Sequence, residues 1–119
     1  MILLIEDNND IRESFEELLV LEGFAVKTAS NGFDALKMVQ NFIPKLVICD
    51  ILMPGMDGYD VITAFKKNVV TRNIPFIFSS SKSESADAAK AEKLGARYFL
   101  VKPFGEPELM ACINDCLQK

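Results

Sequence analysis

Apolar runs of strand length alternate with amphipathic stretches along the whole chain. The first run, ILLI at positions 2–5, is followed by NNDIRESFEELLVLEG, in which Ile11, Phe15, Leu18 and Leu19 recur at helical spacing. Asn9 or Asp10 can cap that helix and Gly23 can stop it. FAVKTA at 24–29 alternates, as a half-buried edge strand does. NGFDALKMVQNFI then sets Leu36, Val39 and Phe42 or Ile43 on one helical face. LVICD predicts a strand, and Tyr59 to Lys67 a helix presenting Val61, Ile62 and Phe65. IPFIF is strand again, and the Ala-rich SESADAAKAEKLG is a helix with Leu94 and several alanines as its apolar contacts. RYFLV is the last strand, and EPELMACINDCLQ the closing helix, with Pro107 suited to its first turn.

Five βα units in succession predict an α/β fold with one parallel sheet and helices on both faces. The continuous runs 2–5, 46–49 and 76–78 suit central strands, and the alternating 24–29 an edge. The length of 119 residues fits a single domain, 1–119, with no room for a second core.

Composition narrows the function. A formal net charge of −4 disfavours direct nucleic-acid binding, which needs a basic surface. No basic amphipathic stretch suits a membrane surface, and no apolar run is long enough to span one, so a cytoplasmic setting is expected. The sequence contains no histidine, which excludes His-based catalysis and the common zinc spacings. Cys112 and Cys116 share the stripe Leu109, Cys112, Ile113, Cys116, so both read as core residues in a reducing compartment.

The chemistry gathers at the strand ends. Ligands of open parallel sheets bind beyond the carboxyl ends of the strands. Here the first strand ends in Glu6-Asp7, the third in Asp50, the fourth in Ser79-Ser80-Ser81 and the fifth in Lys102-Pro103. Acids placed side by side raise one another's pKa unless a cation neutralises them. An all-oxygen donor set favours a hard ion such as Mg²⁺, which uses one or two carboxylates together with phosphate oxygens. Mg²⁺ and Lys102 together could hold a phosphoryl group in line with Asp50.

Glu6-Asp7, the stretch Asp50-x-x-Met53-Pro54-Gly55-Met56-Asp57-Gly58, Ser80 and Lys102-Pro103-Phe104 occur in this order across the chain. In that combination the sequence resembles the receiver domain of two-component response regulators, from about Ile2 to Leu117. The resemblance implies a flavodoxin-like (βα)5 three-layer sandwich with strand order 2-1-3-4-5. It implies that Asp50 is the phosphoacceptor, and that Asp7, Asp50 and the backbone carbonyl of Leu52 bind Mg²⁺, with Glu6 acting through water. Lys102 and Ser80 would contact the phosphoryl oxygens, Phe99 would follow the state of Ser80, and the bond before Pro103 would be cis. Glu6, Ser80 and Phe99 stand where Asp, Thr and Tyr are commoner, each keeping the carboxylate, hydroxyl or ring.

The resemblance further implies a sensor histidine kinase or phosphotransfer protein as donor, and a protein partner or linked domain as output. It also implies a monomer or weak dimer through the last helices, and self-catalysed phosphoryl transfer without metabolic activity. Leu52 and Lys82 would flank the path of a hydrolytic water, and neither can position one, which implies slow self-dephosphorylation. A Mg²⁺-dependent aspartyl-phosphate phosphatase fits less well, since Leu52 stands where its second acid is needed and no cap domain fits this length. A flavin-binding module lacks its phosphate loop after the first strand. A degenerate receiver used only for docking would not keep the full acid, Asp, Ser and Lys set.

Overall fold

A computed structural model describes residues 1–81 and 85–118. Strands β1 (Ile2–Ile5), β2 (Val26–Ala29), β3 (Leu46–Asp50), β4 (Phe76–Ser80) and β5 (Tyr98–Val101) alternate with helices α1 (Asn9–Leu21), α2 (Gly32–Met38), α3 (Gly58–Lys67), α4 (Ser85–Lys93) and α5 (Glu106–Leu117). All pairings are parallel, in the order β2-β1-β3-β4-β5. The unbroken apolar runs form β1, β3 and β4, each buried throughout, because helices cover both faces of the sheet there. Edge strand β2 buries only Ala29 fully, as its alternation predicts.

Strand pleating sends alternate residues into two cores. Leu3, Val47, Phe76 and Phe78 pack with Ala35 of α2, Val61 and Phe65 of α3, and Ala91 of α4. Ile2, Leu4, Ile48 and Ile77 pack instead with Phe15 and Leu19 of α1 and with Leu109 and Ile113 of α5. Cys112 and Cys116 are buried in this second core, as their stripe predicts.

Local details correct several expectations. The cap of α1 is Asn8, one residue earlier than Asn9, and its Oδ1 accepts the Ile11 N–H at 2.9 Å. Ile11 is 42% exposed, because the phase of α1 is set by Phe15 and Leu19 reaching the sheet. Helix α2 ends at Met38 rather than near Ile43. The N–H groups of Gln40 and Asn41 bond back to the Lys37 and Met38 carbonyls, a tightened turn that takes the chain out of the helix. Phe42 packs on the core, and Ile43 is left exposed. Pro107 does stand in the first turn of α5.

Candidate functional site

Strand register decides which side chains meet. Ile5 pairs with Cys49, so Glu6, the next residue, stands level with Asp50. Asp50 pairs with Ser79, and Ser79 with Leu100, which carries the row across to the fifth strand. One residue further, the Lys102 N–H donates to the Ser80 carbonyl at 2.7 Å and fixes where the lysine leaves the sheet. The peptide between Lys102 and Pro103 is cis.

The result is a crevice of three acids and one cation. Carboxylate oxygens of Glu6, Asp7 and Asp50 lie within 4.8 Å of one another. Glu6 and Asp50 are buried, and Asp7 is exposed at the rim. The Lys102 ammonium reaches between two of them, 2.9 Å from Glu6 Oε1 and 3.7 Å from Asp50 Oδ1. The other oxygen of Glu6 accepts the Asn8 N–H at 3.2 Å, and the Glu6 carbonyl accepts Arg12 Nη1 at 2.8 Å. Glu6 is thus held on both oxygens, whereas Asp50 has only the longer contact with the lysine among the ion pairs of the described residues.

The electrostatics follow from this crowding. Burial first, then the charge of Glu6, raises the Asp50 carboxyl from its ordinary 3.8 to about 6, with Lys102 opposing the rise. Burial and a hydrogen bond that protonated Asp7 donates to Glu6 likewise raise Asp7. One lysine does not neutralise three acids. The donor set of Glu6, Asp7 and Asp50, oxygen only and under mutual repulsion, fits a hard divalent cation.

The remaining predicted residues are placed as follows. Ser80 is fully buried at the end of β4. It pairs with Val101, and Phe78 pairs with Phe99, so Ser80 and Phe99 are diagonal neighbours on one face of the sheet. Phe99 is half-buried against the α2–α4 side of the core. The Leu52 side chain is 46% exposed beside the crevice. Lys82 lies outside the described residues.

The loop after Asp50 is fixed by its punctuation. Asp57 and Asp60 form a reciprocal capping box at the start of α3. Gly55 takes φ +82°, a conformation that favours glycine. Gly58 does more than shape a loop. Its N–H donates to the Ile51 carbonyl at 2.9 Å, and a Cβ there would come within 2.7 Å of the Asp50 carbonyl oxygen. The sequence reading missed this contact, together with the support that Asn8 and Arg12 give Glu6. An Arg five residues past the acidic pair was the available signal.

The profile of the response regulator receiver domain matches residues 2–114. Protein PilG of Pseudomonas aeruginosa is 38% identical over 113 residues, covering 95% of this chain and 84% of PilG. The probable transcriptional regulator ycf29 of Pyropia yezoensis is 33% identical over 118 residues, covering 99% of this chain and 53% of that protein. The chain likewise spans about half the length of the ycf27 regulators it matches. Among solved structures, a putative response regulator from Chloroflexus aurantiacus superposes with a TM-score of 0.93 at 27% identity, over 99% of this chain and 97% of that one. The chemotaxis protein CheY4 of Vibrio cholerae gives 0.91 at 26% identity, over 98% and 97%.

Proposed function

The chain belongs to the response regulator receiver domain family, and on that premise we propose that Asp50 is its phosphoacceptor and that Asp7, Asp50 and the Leu52 carbonyl hold Mg²⁺. Receiver domains are phosphorylation-dependent signalling switches of two-component systems rather than classical enzymes, and this chain is one of them. The observation that carries the site assignment is the placement of Asp50. It is buried, level with Glu6 and within reach of the Lys102 ammonium.

In the proposed transfer, an ionised Asp50 oxygen attacks the phosphorus of a phosphohistidine. The new P–O bond forms as the P–N bond breaks, the imidazole leaves with a proton, and Asp50 becomes an acyl phosphate. Bound Mg²⁺ would supply charge neutralisation on the phosphoryl oxygens. Lys102 then turns from Glu6 and Asp50 toward those oxygens, keeping the same charge at the same edge. Glu6, held by the Asn8 N–H, orients the lysine and would support the metal through water. Ser80 hydrogen-bonds a phosphoryl oxygen, and Phe99 takes up the space its movement leaves. The added charge of about −2 biases two packings of that face.

The donor is a sensor histidine kinase or a phosphotransfer protein, and the output is a protein partner or a linked domain. Contact between copies, where it occurs, uses the last helices in a weak dimer, and no nucleic acid binds this domain directly. Among the described residues no helix is long and apolar enough to cross a membrane, and a cytoplasmic setting is part of this reading. With Mg²⁺ and a small acyl phosphate, intact-mass spectrometry should show one added phosphate, lost in Asp50→Asn. Undiminished labelling of that variant would reject the assignment.

A further inference from the structure

Helices α3 and α4 lie on the same face of the sheet, and the contacts joining them differ from the rest of the core. Among the described side chains of α4, only Ala91 is fully buried. Apolar burial therefore holds this helix weakly. A polar seam supplies the rest. Tyr59, the second residue of α3, places its hydroxyl 3.2 Å from Asp87 Oδ1 and 3.3 Å from the Asp87 carbonyl oxygen. Its ring lies 4.3 Å from the Lys90 ammonium, one turn further along α4. The ring also meets Phe78 of β4 edge-on, with centroids 5.8 Å apart. Burial and the Asp87 carboxylate push the phenol above its ordinary pKa, so it stays a donor.

Two turns later on the same face of α3, the Lys66 stem runs past Gly95, where a Cβ would come within 2.8 Å of it. Its ammonium donates to the Arg72 carbonyl at 3.0 Å. Lys90 is exposed, as the sequence suggests for a solvated helix face, and Lys66 is half-buried beside Gly95 at the far end of the seam. Its other end reaches the phosphorylation crevice. Tyr59 follows Gly58, which is bonded to Ile51 and packed against the Asp50 carbonyl.

We propose that Tyr59 is a positioning residue that straps α4 to α3 in the unphosphorylated state, through Asp87 and Lys90, so that the switch must loosen this strap when Asp50 is occupied. The geometry stands by itself, and its consequence for signalling rests on the receiver reading above. Because α4 buries so little, one tyrosine is a large share of what holds it, and a modest change at the Asp50–Gly58 loop suffices to release it.

Tyr59→Phe in the full chain keeps the ring on Phe78 and under Lys90 and removes only the hydroxyl. Hydrogen exchange of the α4 amides, without any phosphoryl mimic, should then accelerate about fivefold, the factor one hydrogen bond carries. Amides of α1 should be unchanged. Asp87→Ala should give the same acceleration, and the double variant no more than either alone. The apparent Kd for beryllofluoride, a phosphoryl mimic, should fall by a similar factor, because the resting state has lost stabilisation that the occupied state never had. Unchanged α4 exchange overturns the proposal, as does acceleration equal in α1 and α4. Faster α4 exchange with unaltered beryllofluoride affinity would make Tyr59 a structural contact only and also overturn it. A parent that binds no beryllofluoride would fail the phosphoacceptor reading, and the exchange comparison alone would then decide the strap.

Discussion

Replacing Asp50 by asparagine should make the metal-free protein more stable, with a pH signature. Burial and Glu6 raise the Asp50 carboxyl from 3.8 to about 6, so folding costs more as this group ionises. A raised acid pKa means the folded state binds the proton more tightly than the unfolded chain. Below the unfolded value both states are protonated and nothing is lost. Between 3.8 and about 6 the unfolded chain ionises first, and stability falls as pH rises through that window. Each tenfold in proton affinity is about 1.4 kcal/mol, so the cost is on the order of 1 kcal/mol near pH 5 and levels off at a few kcal/mol above pH 7. Asparagine cannot ionise and removes it. Nor does it orphan the lysine, because Lys102 keeps its 2.9 Å pairing with Glu6. Urea unfolding of parent and Asp50→Asn in EDTA at pH 5, 6 and 7.5 measures the gap directly. The variant should lead by on the order of 1 kcal/mol at pH 5 and by a few kcal/mol at pH 7.5, the latter a rise of roughly 10 °C in Tm for a domain of this size. Saturating Mg²⁺ should close the gap, because at a hundredfold over its Kd a ligand adds about 2.7 kcal/mol to the parent. A variant that is less stable than the parent at pH 7.5, or a gap that does not grow with pH, would refute the picture of Asp50 as a destabilised acid.

Gly58→Ala should cost about 1–3 kcal/mol in chemical denaturation and slow phosphorylation by a small acyl phosphate, since the new Cβ would strike the Asp50 and Ile51 backbone rather than a yielding side chain. Wild-type labelling rates in that variant would show that the loop accommodates the methyl. Leu52→Asn should shorten the phosphoryl lifetime, read by loss of the added mass over time, and change stability by no more than about 0.5 kcal/mol, because Leu52 is largely exposed. Adding Lys82→Glu should shorten it further, and a double variant as long-lived as the parent would disprove control by water access.

The alternation of apolar runs and amphipathic stretches was enough to read out five strands, five helices and the edge position of β2, because periodicity is a local property of the chain. It also gathered the residues of the candidate site. In any parallel sheet the residues that end the strands share one edge, so Glu6, Asp7, Asp50, Ser80 and Lys102 had to gather there whatever the details. The rest was set by contacts between distant segments. Pairing of Ile5 with Cys49 puts Glu6 level with Asp50, and the Lys102 ammonium then bridges 96 positions of chain to reach Glu6. The elevated Asp50 pKa exists only once those groups share a buried crevice. Helix phase is equally nonlocal: Ile11 fits the apolar pattern of α1 but faces water, because Phe15 and Leu19 are the residues turned onto the sheet. Tyr59 and Asp87 are 28 residues apart, and neither belongs to an apolar stripe or a motif. Local pattern records which face of an element is apolar, while register and helix rotation come from packing one element against another, and it is that packing that joined Tyr59 to Asp87 and Lys102 to Glu6.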